Sequence, residues 1–267
     1  MYFKAIAQMP NIEEIALWGM IITKDTLKSL ARLERLKTLR IMSCHLAQDV
    51  KEKYLAKIST LRLSSLDILL FPTNISLLMD QSTKSVVPLL EEINWSCITS
   101  LKLMATEIAP TIEVAWVSSK SLSLVELDLC CIEMTLPLRL LARTPSLKVL
   151  RLNKISYPHQ APPDSSTVPM LEELRAPLPV CTMLVPGRPV ANLGLVNMGL
   201  QETPGLAEAL IFQTASRPIS QLSVPVQFYL NVPFWRHFPS LRVLRLDVIT
   251  YDGEQLPTIK VPIHQVT

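Results

Sequence analysis

One spacing of apolar residues recurs along the whole chain, and this repetition constrains the fold more than any other feature of the sequence. In each copy the first, fourth and sixth residues of a short stretch are apolar, as in Leu147, Leu150 and Leu152. Ten copies follow one another, with their first residues at Ile12, Leu36, Ile58, Ile98, Leu124, Leu147, Leu171, Val190, Ile219 and Leu241. The mean interval is about 25 residues, which is the length of one small supersecondary unit.

The pattern within each copy predicts a short strand, because residues two apart on a strand point to the same side and enter the core together. Several segments between the copies have helical character instead. These segments are residues 26–36, 49–58, 111–119, 137–143 and 206–214. Strands and helices that alternate at this period predict an α/β leucine-rich-repeat solenoid, with a curved parallel sheet on the concave side and helices and irregular turns on the convex side. We expect residues 1–267 to form one domain of about ten repeats.

Three local features refine this prediction. Cys44 stands where the repeat consensus places an inward asparagine or cysteine. A competing register at Leu90, Ile93 and Trp95 begins only eight residues before Ile98, so we interpret it as a helix end or a turn. Prolines crowd residues 157–169 and predict an exposed loop.

The sequence offers little for catalysis or for cofactor binding. It has only 6 glycines and neither of the glycine-rich phosphate-binding motifs. The five cysteines and four histidines show no zinc-ligand spacing, and the cysteines form no CxxC pair. Adjacent carboxylates such as Glu172 and Glu173 point to opposite faces of a strand. We therefore expect no enzyme activity, no catalytic residues, no cofactor and no metal.

No apolar run approaches the roughly 18 residues that a membrane span requires, and the amino terminus lacks a signal-peptide pattern. We therefore expect a cytoplasmic or nuclear protein that does not bind membranes.

Three passages go beyond the general repeat pattern. They are residues 95–103 (WSCITSLKL), residues 118–129, and residues 169–177 followed by 184–190 (LVPGRPV). Together they resemble the repeats of fungal F-box/leucine-rich-repeat proteins. The resemblance implies the substrate-recognition repeats of an SCF-type ubiquitin-ligase receptor. The first repeat begins at Ile12, so we expect the F-box to be absent, and binding of the ligase adaptor is expected only if an F-box is encoded upstream. The alternative is a free-standing leucine-rich-repeat scaffold unconnected to ubiquitin.

The residue between the two inward positions of each strand must face the opposite side of the sheet. Down the ten repeats this column reads Ala16, Arg40, Arg62, Lys102, Asp128, Arg151, Arg175, Gly194, Ser223 and Arg245. Its basic members predict a positive stripe that binds an acidic or phosphorylated protein partner. The alternative is that arginine and lysine stems only cover the sheet while their charged ends stay in water. Nucleic acid is not expected, because the net charge is only +3 and few aromatic residues accompany the basic ones.

Overall fold

A computed structural model describes residues 8–9, 11–70, 83–104, 122–130, 141–153, 164, 166–196, 206–226, 234–247 and 259–262. The chain divides into two compact units, Met1–Thr144 and Pro145–Thr267. The expectation of a single domain over residues 1–267 stays a prediction. In the described part of the chain, no helix is both long enough and apolar enough to cross a membrane.

The first unit contains a parallel sheet with one strand from each repeat. In spatial order, which is also chain order, the strands are Glu14–Trp18 (β1), Thr38–Met42 (β3), Ser65–Leu69 (β5), Ser100–Met104 (β7) and Glu126–Cys130 (β8). Equivalent residues pair directly across neighbouring strands, as Ala16 pairs with Arg40 and Arg40 pairs with Asp67. The repeats therefore stack in strict register.

Short strands, helices and turns connect the described parts of the repeats in this unit. A second small sheet is formed by Ile21–Ile22 (β2), His45–Ala47 (β4) and Thr83–Lys84 (β6). The helices are Lys24–Leu30 (α1), Glu52–Leu55 (α2) and Val87–Glu91 (α3), with 3-10 turns at Ala56–Thr60 and Trp95–Cys97. The first helix begins at a capping box in which Thr23 and Thr26 satisfy each other's backbone amide groups.

The second unit follows the same plan. Its parallel strands are Val149–Asn153 (β9), Glu173–Ala176 (β10), Asn192–Leu195 (β11), Gln221–Pro225 (β12) and Val243–Asp247 (β13), and Ile259–Pro262 (β14) pairs antiparallel with β13. The helices are Leu178–Leu184 (α4) and Leu206–Gln213 (α5), and Phe234–His237 forms a 3-10 turn.

Within each unit, the inward residues of the strands form the core. The leucines that the repeat predicts to be inward are all buried, namely Leu61, Leu63, Leu101, Leu103, Leu127, Leu129, Leu150, Leu152, Leu174, Leu244 and Leu246. Cys44 also turns inward, and its Sγ lies 3.3 Å from the carbonyl oxygens of Leu17 and Met42. The predicted α/β leucine-rich-repeat fold is therefore confirmed by strand order and burial within each unit.

The third repeat differs from its predicted register. We expected its inward pair at Leu61 and Leu63, but the strand is Ser65–Leu69 and its inward residues are Leu66 and Ile68. The 3-10 turn at Ala56–Thr60 occupies the start of the predicted repeat. Leu63 is buried in either register, so the apolar pattern fits both strands.

Other sequence predictions have mixed outcomes. The helix expected at residues 206–214 is confirmed as α5, and the two expected at 26–36 and 49–58 are shorter than predicted. The register at Leu90 to Trp95 forms a helix end and a turn, as expected. Helix α4 was not predicted. The predicted helix at 111–119 lies outside the described residues, as do most of 137–143 and of the 157–169 loop.

A buried arginine organises the passage that follows α4. The Arg188 side chain is 1% exposed, and it donates hydrogen bonds to four backbone carbonyl oxygens, those of Asp164, Thr167, Leu184 and Pro186, at 2.8 to 3.1 Å. Burial lowers the pKa of this guanidinium from its ordinary value, an effect opposed by the charge of Asp164. The distinctive sequence around Pro186 thus has a structural role, because it places carbonyl oxygens around a buried cation.

Candidate interaction surface

The side of each sheet that faces away from the core is the candidate site. We call the outward residues of β1, β3, β5, β7 and β8 the first face, and the outward residues of β9 to β13 the second face. Alternation along each strand sends these side chains away from the buried leucines. The burial of the strands follows the same alternation, for example exposed, buried, exposed, buried, exposed along β1.

The middle row of the first face contradicts part of the predicted positive stripe. In register the row is Ala16, Arg40, Asp67, Lys102 and Asp128. Arg62 is exposed but lies before β5, so the structure places Asp67 at the position that we assigned to Arg62. The charges along the row therefore alternate in sign instead of adding together.

Ion pairs neutralise Arg40 on this face. Its Nη2 lies 3.1 Å from Oε1 of Glu14, and its Nε lies 3.3 Å from Oδ2 of Asp67. Burial raises the pKa of Asp67, and the positive charges of Arg40 and Lys102 oppose that rise. The outward residues include four carboxylates, at Glu14, Asp67, Glu126 and Asp128, and two cations. The first face is therefore acidic in balance.

The second face carries the remaining predicted arginines. Its middle row is Arg151, Arg175, Gly194, Ser223 and Arg245 in register. The Nε of Arg151 donates to Oε1 of Glu173 at 2.8 Å. Arg245 is exposed, and its Nη2 is 3.4 Å from Oε1 of Gln221. Three of the six predicted binding residues thus share one face of one unit.

Arg175 is the most constrained of these three residues. Its side chain extends across β11 and β12, and its Nη2 donates to Oδ2 of Asp247 at 3.0 Å. Ser223 donates its hydroxyl to the same oxygen at 2.7 Å. The Asp247 side chain is only 7% exposed, so this carboxylate is held by partners instead of by water. The Nε of Arg175 is also buried and has no hydrogen-bond acceptor in the described part of the chain.

Gly194 makes this path possible. A Cβ atom added at residue 194 would lie 2.9 Å from Cγ of Arg175, closer than such atoms normally approach. The absence of a side chain on β11 therefore lets Arg175 lie flat against the sheet.

A shallow depression of about 320 Å³ results on the second face. Arg175, Gly194, Ser223, Arg245 and Asp247 line it, together with polar residues such as Asn192 and Gln221. Asp247 was not among the predicted binding residues. The available signal was its position two residues after Arg245, which puts both side chains on the same side of β13.

Two further observations concern metal ligands and thiols. Among the described residues, no three histidine, cysteine or acidic side chains are grouped so that they could hold a metal ion. Burial raises the pKa of the Cys44 and Cys181 thiols, which disfavours the reactive thiolate.

Comparison with solved structures gives a similarity to a leucine-rich-repeat protein of Leptospira interrogans, with 17% sequence identity and a TM-score of 0.42. The alignment covers 89% of this chain and 67% of that protein. Neither the models of known protein families nor the curated proteins gave a match to the sequence. The fold assignment therefore rests on this chain's own strand order and inward leucines.

Proposed function

We propose that this chain is a non-enzymatic protein-interaction module that binds an acidic or phosphorylated segment of a partner on its second face. The observation that carries the proposal is the presence of Arg151, Arg175 and Arg245 on one outward row, in which Arg175 and Arg245 line a polar depression. Guanidinium groups pair with carboxylates and phosphates through two parallel hydrogen bonds, which favours this class of partner.

The Arg175 side chain covers Gly194, and the depression of about 320 Å³ beside it, which Ser223 and Arg245 also line, is the place for such a segment. Gly194 and Ser223 lie between Arg175 and Arg245 and have the smallest side chains in the row. Arg245 is exposed, and its one described hydrogen bond, to Gln221, is long. The outward residues of this face include three arginines against the two carboxylates of Glu173 and Asp247, so the balance is positive.

The binding site in this proposal contains only three of the six residues of the predicted positive stripe. Arg62 does not lie on either face, and Arg40 is paired with two carboxylates on the acidic first face. Lys102 lies between Asp67 and Asp128 in the same row. The binding residues in the proposal are therefore Arg151, Arg175 and Arg245.

The sharpest test replaces Arg245, because this residue can change without disturbing the fold. Fluorescence anisotropy would be measured with three labelled peptides of equal length, containing glutamate, phosphoserine or lysine at alternate positions. The unaltered chain should prefer the first two peptides, and Arg245→Glu should weaken that binding about tenfold or more. Binding should also weaken as salt rises.

Two further variants make the result interpretable. Arg217→Glu makes the same charge change at an exposed position outside the second face, and it should bind as the unaltered chain does. Arg175→Glu is a poor test, because it places a carboxylate beside the buried Asp247 and threatens folding. Undiminished binding of the glutamate and phosphoserine peptides by a folded Arg245→Glu protein would contradict the proposal.

The finer proposal is that the repeats select substrates for a ubiquitin ligase. It is supported by the resemblance of residues 95–103, 118–129, 169–177 and 184–190 to the repeats of fungal F-box/leucine-rich-repeat proteins. Affinity purification of the tagged protein from its native cells should recover a Skp-type adaptor and a cullin. Recovery of a stable partner without either subunit would favour the free-standing scaffold instead.

A further inference from the structure

The last outward position of each strand in the first face is apolar. In register this row, which we call the apolar row, is Trp18, Met42, Leu69, Met104 and Cys130. Trp18 is 77% exposed, and the other four side chains are partly exposed. At the corresponding positions of the second face Asn153 is polar and the other four residues are buried, so these positions form no exposed apolar row; the four are Pro177, Val196, Pro225 and Asp247.

Such a row is unusual on a solvent-facing surface. Contiguous exposed apolar side chains commonly mark a site of interaction. Two of the five residues are methionines, whose unbranched and polarisable side chains adapt to different partner surfaces. Trp18 supplies the kind of large aromatic anchor that dominates binding energy at protein interfaces.

The charges beside the row indicate the sign of the partner. The neighbouring outward positions carry Glu14, Asp67, Glu126 and Asp128 against Arg40 and Lys102. Arg40 is already held between Glu14 and Asp67, at 3.1 and 3.3 Å. The surplus of negative charge therefore favours lysine or arginine on the partner, and it disfavours nucleic acid and anionic membranes.

The spacing of the row indicates the conformation of the partner. Neighbouring strands lie about 4.8 Å apart, so the five residues span about 19 Å. One helical turn rises about 5.4 Å. In a helix that crosses the strands, the spacing of the turns and the spacing of the strands would therefore differ by only about 2 Å in total over the row. Same-side residues of an extended peptide are about 6.8 Å apart, so their spacing and that of the strands would differ by about 8 Å in total over four intervals. A helix therefore places one apolar side chain near each strand.

We infer that the first face binds a basic amphipathic helix of a partner protein, with its apolar side chains on the apolar row and its lysines or arginines toward Asp67, Glu126 and Asp128. The inference rests on the proposed interaction function but concerns another surface and the opposite charge. The two can therefore fail independently.

The test uses the full chain and three labelled peptides of about 14 residues, which is about four helical turns. The first peptide has leucine and lysine placed with helical periodicity. The second has the same composition with leucine and lysine in strict alternation, and the third has glutamate in place of lysine in the helical pattern. Fluorescence anisotropy should show the tightest binding for the first peptide, with a loss of affinity as salt rises.

Two variants locate the site. Trp18→Ser should weaken binding of the basic helical peptide about tenfold, because it removes the aromatic anchor from an exposed position. Leu210→Ser removes an apolar side chain that is also exposed, at 53%, on α5 of the other unit, and it should change the affinity less than twofold. Asp128→Asn should reduce the dependence of binding on salt.

Several outcomes would overturn the inference. If the alternating peptide bound as tightly as the basic helical peptide, the partner would not need to be a helix. If the acidic helical peptide bound as tightly, the partner would not need to be basic. Unchanged binding by Trp18→Ser would remove the apolar row. Sedimentation showing a dimer that Trp18→Ser converts to a monomer would make a second copy of this chain the occupant. Normal binding of glutamate or phosphoserine peptides alongside any of these results would leave the proposed function standing.

Discussion

The first and second faces use the same backbone for different surface chemistry. Both are made of parallel strands, one per repeat, with buried leucines directed inward. On the first face the charges alternate in sign beside an apolar row, whereas on the second face arginines surround a polar depression. The inward positions of a repeat fix its fold, and the outward positions are left to specify the partner.

The largest expected effect tests whether the two cores are equivalent. Leu101→Ala in β7 and Leu150→Ala in β9 each remove a fully buried side chain, and each should lower the free energy of unfolding by about 2 to 5 kcal/mol. Urea denaturation would measure the loss. Leu210→Ala, at an exposed position, should cost about 0.5 kcal/mol or less. A small loss at only one of the two buried leucines would break the equivalence.

The next effect is specific to the second unit. Arg188→Met should lower the free energy of unfolding by about 2 to 4 kcal/mol, because it leaves four carbonyl oxygens, the buried one of Leu184 among them, without their donor. Arg188→Lys should recover only part of the loss, since an ammonium group has three donors and cannot reproduce the planar guanidinium. Arg217→Met, at an exposed position, is the control. Full stability of Arg188→Met would show that the buried network contributes little.

A smaller effect concerns the path of Arg175. Gly194→Ala should destabilise the protein by about 1 to 2 kcal/mol, because the new Cβ would crowd Cγ of Arg175. The substitution should be less costly when it is made in Arg175→Ala, where the crowded atom is absent. Denaturation of the two single variants and the double variant would measure this coupling. If the losses of unfolding free energy in the two single variants simply added in the double variant, the contact between residue 194 and Arg175 would not be the source of the destabilisation.

The smallest effect concerns a charge of the first face. The pKa of Asp67 in the folded state is raised above its ordinary value of 3.8, so the folded state holds the proton more tightly than the unfolded chain. The contribution of this group to stability is therefore present at low pH and is lost as the pH rises through the raised pKa. The protein should gain stability relative to Asp67→Asn as the pH is lowered from 7.

Arg40 offers the control for this measurement, which would use urea denaturation at several pH values. Its positive charge lowers the pKa of Asp67, so Arg40→Gln should enlarge the pH dependence. If stability relative to Asp67→Asn fell on acidification, the sign of the shift would be reversed.

The sequence predicted the fold because apolar spacing reports burial directly. Leu147, Leu150 and Leu152 occupy the positions that the pattern assigned to them. The third repeat was misplaced because the spacing fits two overlapping frames that share Leu63, and both frames place apolar residues in the core. The structure has the second frame, in which the turn at Ala56–Thr60 precedes Leu63 and Leu66 pairs with Leu39.

The candidate site was less predictable than the fold, since its chemistry depends on neighbours across strands. The alternation rule correctly placed Arg151, Arg175 and Arg245 in one outward row. It gave no sign that Arg175 would reach Asp247, which is 72 residues away along the chain. The apolar row emerged only when the register of β1, β3, β5, β7 and β8 was known.

The hydrogen bonds of Arg188 also have a consequence for how this repeat opens. They join residues that are 21 and 24 positions apart, and so they close a loop in the chain much as a covalent cross-link would. The same side chain holds the end of α4 through Leu184. Displacement of the Arg188 side chain therefore releases both the loop and the helix end, and protection from proteolysis or hydrogen exchange should be lost in both segments together. Unlike a disulfide, this closure does not depend on the redox state of the surroundings.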